Sequence, residues 1–221
     1  MKASRQVRMV IWYMLLVLLF VSRIPFASCA QSSDSAPCDE YRESVPRDKI
    51  LYILSEQNKA DALYDGKTMF YYAAILGLHD RLRVWAADKQ RIAAIDKNTM
   101  VDVATVGDLE SLKILVLSGA SPDLASDGGA TALISAAGCG RLKIMAYLIH
   151  VGANMYSRNE DGIDAMIHSI MVGNSDGVRL LLDNGFDLRL SKTRNGLSVF
   201  DVARRKGNAA IIEMLGKQPA K

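Results

Sequence analysis

Residues Asp127–Asn154, DGGATALISAAGCGRLKIMAYLIHVGAN, decide how the rest of the chain is read. The stretch reads as two short apolar helices back to back. Thr131 opens the first, the second begins after Gly140, and Gly152 closes the pair. Polar turns flank it, Ser121-Pro122-Asp123 before and Ser157-Arg158-Asn159-Glu160 after. A unit of this kind cannot bury its apolar face alone, so the question is whether it recurs.

It recurs with a fixed period. Gly107, Gly140 and Gly173 are spaced at 33 residues, and so are Gly119, Gly152 and Gly185. Extending the register outward finds Gly77 and Gly207. Where the first helix of each copy should open stand Thr68, Asn98, Thr131, Asp164 and Ser198. Their side-chain oxygens suit the unpaired N–H groups of a helix start. The glycines that follow suit the left-handed turn that ends a helix. Two residues before the cap come Gly66, Gly129, Gly162 and Gly196, with Asp96 breaking the set.

At these positions the chain resembles the ankyrin-repeat family, whose pattern is G-x-T-P-L-H-x-A-A-x-x-G followed by an apolar helix ending L-L-x-x-G-A-D/N. The first copy offers Gly66-Lys67-Thr68-Met69-Phe70-Tyr71-Tyr72-Ala73-Ala74-Ile75-Leu76-Gly77. The third ends Leu148-Ile149-His150-Val151-Gly152-Ala153-Asn154. No copy has the proline after the cap, Asp164 replaces threonine, and Gly77 to Gly107 is 30 residues. The resemblance covers about residues 48–217 and implies an all-α solenoid of about five helix–turn–helix repeats. Ile50, Leu51, Ile53 and Leu54, after Pro46, read as a partial N-terminal capping helix. The repeat domain is therefore expected over 47–217, with a frayed end at 218–221.

Residues 1–30 are of another kind. Lys2, Arg5 and Arg8 precede the uncharged run Met9–Val21, and Ser28 and Ala30 supply small residues. That order is expected of a secretory signal peptide cut after Ala30, which places the mature protein in the periplasm or outside the cell. An uncleaved anchor is the second reading, although the 13-residue run is shorter than the roughly 20 residues a span needs. The third is a lipoprotein with its lipid on Cys29, since Phe26-Ala27-Ser28-Cys29 resembles a lipobox. Without this segment 23 basic residues face 24 acidic ones, a net charge of −1. That balance gives no basic stripe for nucleic acid. Gln31 to Val45, Ser-rich and without helical period, is expected to be a flexible arm, 31–46.

Two cysteines remain beyond Cys29. In the resembled fold Cys139 faces the concave groove. Cys38 lies nine residues before Arg47, a reach of about 30 Å, or two to three repeats. Either a Cys38–Cys139 bridge lays the arm along the groove, or the two are unrelated thiols.

Chemistry-bearing patterns are sparse. His79, His150 and His168 belong to no H-E-x-x-H or zinc spacing, and no G-x-S-x-G elbow occurs. His168, inside an apolar helix, reads as a packed or hydrogen-bonded residue. Gly138-Cys139-Gly140 lacks the strand and Lys-Ser/Thr of a phosphate loop. No catalytic activity, metal, cofactor or small-molecule substrate is expected. A hydrolase would have only Ser135, Cys139 and His168 to use.

Surface recognition remains. By the resemblance, the partner-binding turn tips are Tyr64, Asp65, Lys67, Asp96 and Lys97, then Asp127, Arg158, Glu160, Asp161, Arg194 and Asn195. The helix-end pairs are Ile75 and Leu76, Thr105 and Val106, Gly138 and Cys139, Met171 and Val172, and Arg205 and Lys206. Their aliphatics are read either as an exposed apolar patch or as core. The expectation is an exported module that holds another protein in its groove, an immunity or inhibitor protein blocking a toxin or enzyme. The alternative is a scaffold or stress-protection partner of an envelope enzyme. Membrane contact is expected only through the export segment or a lipid on Cys29.

Overall fold

The computed structural model describes residues 36–57 and 60–217. The expected export segment with Cys29, Lys59 and the end 218–221 lie outside them.

Two helices precede the first repeat, α1 (Ala36–Glu43) and α2 (Arg47–Gln57). A two-stranded hairpin follows, β1 (Leu63–Tyr64) pairing antiparallel with β2 (Lys67–Thr68). Asp65 and Gly66 form its turn with φ of 49° and 73°. Asp-Gly is the pair such a primed turn favours, because both central residues need positive φ.

The repeats then run as helix pairs. The first is α3 (Met69–Ile75) and α4 (His79–Ala86), followed by a short α5 (Lys89–Ala93). The second is α6 (Asn98–Val106) and α7 (Leu109–Leu117), the third α8 (Ala132–Gly138) and α9 (Leu142–His150). The fourth is α10 (Ala165–Val172) and α11 (Ser175–Asp183), with a 3-10 turn at Leu188–Leu190. The fifth is α12 (Val199–Lys206) and α13 (Ala209–Gly216). The first copy, three residues short and lacking the closing glycine, accommodates α5 instead. The Asp88 carboxylate opens α5 by accepting from Gln90 N at 2.9 Å.

The expected all-α solenoid is thus the fold found. First helices stack on first helices and second helices on second. The first-helix layer is the closer packed of the two. Fully buried Ala73, Ala74, Ala104, Ala136 and Ala137 permit that approach. Between the layers Leu82, Leu115, Leu148, Leu181 and Leu215 are wholly enclosed, one per repeat. Burying each of these leucines contributes about 1.5–3 kcal/mol.

Thr68, Thr131, Asp164 and Ser198 accept from the third backbone N–H of their helices. Asn98 does not: it lies inside α6, whose cap position is Lys97 without a side-chain bond. Asp96, the residue that broke the glycine set, accepts from Asn98 N at 2.8 Å and replaces it. The arm also differs from expectation, since 36–43 is helical. Covalent and hydrogen-bonded docking orders a segment that its own sequence does not.

Candidate functional site

The inner wall is built from α3, α6, α8, α10 and α12. α1 packs against α6, the middle of the first three. At one end Cys38 is disulfide-bonded to Cys139, at the end of α8, with Cα atoms 5.8 Å apart. At the other, Tyr41 Oη lies 2.8 Å from Tyr71 Oη on α3. The arm therefore crosses repeats three, two and one in that order before turning into α2.

Tyr71 Oη in turn donates to Asp102 Oδ2 of α6 at 2.8 Å. Burial pushes the Asp102 carboxyl upward, and the Tyr71 hydroxyl pulls it part of the way back. Burial, with Asp102 next in effect, also pushes the Tyr71 and Tyr41 hydroxyls well up, so both stay protonated donors. Lys67 Nζ sits 5.0 Å from the centre of the Tyr71 ring and 2.8 Å from Asp96 Oδ2. Tyr72 meets Tyr71 edge to face at 5.2 Å.

The turn tips are used between neighbouring repeats. Lys97 Nζ bonds Asp127 at 3.3 Å, and Arg194 N donates to Asp161 O at 3.2 Å. Glu160 N donates to Gly128 O at 3.0 Å, and the Arg158 guanidinium donates to Leu190 O. Gly162, at φ +74°, lies so near this ladder that a Cβ would come within 2.4 Å of Arg194 N. Tyr64 is half-buried, its ring 5.9 Å from Tyr72, with Lys49 Nζ 5.0 Å above it. Asp65 and Asn195 are exposed. Solvent-facing pairs such as Lys97–Asp127 contribute about 0–1 kcal/mol and leave the tips open to contact.

The helix-end pairs divide. Ile75, Leu76 and Val106 are buried at 1%, 3% and 7%, so they are core and form no exposed patch. The chain reverses at Gly77 and folds α4 against α3, which shuts the preceding side chains between the layers. Thr105 Oγ1 bonds Ser135 Oγ at 2.9 Å. Gly138 is buried under the His168 ring, which would meet an added Cβ at 2.2 Å. Met171 and Val172 are half-buried, and Arg205 and Lys206 are exposed. The surface offered on this side accordingly shifts to repeats four and five.

The three residues nominated for hydrolysis have separate engagements. Ser135 bonds Thr105, Cys139 is bridged, and His168 Nδ1 lies 2.9 Å from Ile134 O. Burial depresses the His168 imidazole and disfavours its cation. Among the described residues no group of three or more His, Cys, Asp or Glu is placed to hold a metal ion. No helix among them is long and apolar enough to cross a membrane.

Sequence reading missed Tyr41, Tyr71 and Asp102, and it missed the caps of the second helices. Asp108, Asn174 and Asn208 each accept from a backbone N–H there. Gly107-Asp108, Gly173-Asn174 and Gly207-Asn208 carried that signal at the repeat period.

Compared with curated proteins, the chain has no significant match. The family model described as "Ankyrin repeats (3 copies)" matches residues 99–192, the second to fourth helix pairs. Residues 99–192 thus carry ankyrin repeats, and such repeats indicate a module for protein–protein interaction.

Proposed function

We propose that the protein acts outside the cytosol as an immunity or inhibitor protein, holding a toxin or enzyme of the same compartment against its inner wall. The observation that carries this reading is the Cys38–Cys139 bridge, which joins the two cysteines remaining once residues 1–30 are removed. Disulfides persist in oxidising compartments and are rare in the cytosol. The gripping surface is the end of the wall at repeats four and five. There Met171 and Val172 give apolar contact area and Arg205 a charged rim, a pairing common at protein interfaces.

The test is capture from an extract of the oxidising compartment by residues 31–221, using wild type, Met171→Arg and Leu117→Glu. Leu117 is 83% exposed on the outer helix layer and serves as the control. The expected result is one partner retained by wild type and Leu117→Glu and lost by Met171→Arg, and inhibition of that partner's activity. Equal capture by all three contradicts the assigned face. Capture without inhibition turns the reading toward a scaffold.

A further inference from the structure

The disulfide and the tyrosine contact act on the same short helix, which lies over part of the wall that a solenoid presents to its partners. Helices of about eight residues do not hold together alone in water, so α1 depends on docking for its form. Glu40 and Glu43 on it are exposed, whereas Cys38 is buried and Tyr41 half-buried. Its attachments include the Cys38–Cys139 bond, the Tyr41–Tyr71 hydrogen bond and the short link to α2. The two cysteines differ in exposure. Cys38 is 6% exposed and Cys139 is half-buried, which makes Cys139 the more exposed partner of the bond.

We propose that α1 is a resident cover over the inner wall of repeats one to three, held shut by the Cys38–Cys139 bridge and released by a dithiol reductant. A thiolate of the dithiol attacks Cys139 Sγ, the S–S bond breaks, and Cys38 leaves as a thiolate that takes up a proton. The second thiol of the reductant then displaces Cys139, which is protonated in turn. The dithiol leaves as a disulfide, having given up two electrons and two protons. Once α1 departs, Tyr71 and Asp102 lose Tyr41 as a neighbour and line an open strip of wall. Partner binding at that strip would extend the protein-binding reading above, but the opening is measured without any partner.

The experiment is hydrogen exchange read by mass spectrometry on residues 31–221. It compares the oxidised protein, the protein treated with dithiothreitol, Cys38→Ser, and oxidised Tyr41→Phe. Alkylation confirms the state of the thiols. The expected result is exchange in residues 36–43 faster by at least about tenfold after reduction and in Cys38→Ser, with α9 to α13 unchanged. Oxidised Tyr41→Phe keeps its protection there. Unchanged protection of 36–43 with both thiols alkylated overturns the proposal. So does loosening of all repeats together, which would make the bridge a staple of the whole fold. Opening of oxidised Tyr41→Phe overturns the assignment of the bridge as the lock.

Discussion

Tyr41 Oη and Tyr71 Oη lie 2.8 Å apart, one on the N-terminal helix and one on the first repeat, 30 positions away in the chain. Tyr71 passes the contact on to Asp102, so three residues from three elements share one chain of hydrogen bonds. The two tyrosines of that chain carry different costs. Tyr71→Phe takes the Tyr71 donor from a largely buried carboxyl and is expected to cost about 1–3 kcal/mol. Tyr41→Phe removes a hydroxyl contact at the edge and should cost about 1 kcal/mol. Urea denaturation of both variants checks the order. The hydroxyl favours the charged form of Asp102. The cost of Tyr71→Phe is therefore greatest above the Asp102 pKa and shrinks in acid.

Gly138 is a space filled by another residue. An alanine there would push its Cβ within 2.2–2.6 Å of the His168 ring atoms. Gly138→Ala is expected to destabilise by about 1–3 kcal/mol, the usual range for overpacking. In the Gly138→Ala, His168→Ala double variant the ring is gone, so most of the Gly138→Ala increment should vanish. A double-mutant cycle measures that coupling, and simple additivity would refute the contact.

His168 also sets a pH dependence. Burial holds its imidazole below the ordinary value of 6.5, and the bond to Ile134 O only partly offsets this. Between the two pKa values the unfolded chain binds the extra proton and the folded chain does not. Stability from this group is thus present above pH 6.5 and lost as pH falls from there through the folded-state pKa. Melting temperatures between about pH 7 and pH 5 should fall more steeply for wild type than for His168→Gln, which has no such titration.

The two kinds of helix-end residue should separate in one stability series. Ile75→Ala removes a side chain 1% exposed and is expected to cost about 2–5 kcal/mol. Arg205→Ala changes an exposed residue and should stay within about 0.5 kcal/mol. Thermal unfolding monitored by circular dichroism distinguishes them.

The fold was legible because its physics is local and repeated. A glycine that must end a helix and a side chain that must cap the next leave marks at the same place in every copy. Asn98 was misread because Asp96, two residues earlier, performs the same task from outside the helix. The arm was misread for a different reason. Ala36–Glu43 is polar overall, and its order comes from contacts with residues 30 and 101 positions away. Ile75 and Leu76 show the limit on sites. Family position placed them at the groove, but whether they face it depends on how α4 folds back, which spacing alone does not determine.

The proposed function requires an N-terminal helix clamped to the third repeat and a protein exported to an oxidising compartment. Intact mass of the protein recovered unreduced from that compartment, before and after alkylation in denaturant, tests this most directly. The account predicts a chain without residues 1–30 that takes up no alkyl group until it is reduced, and then takes up two. Two groups added without reduction would contradict it.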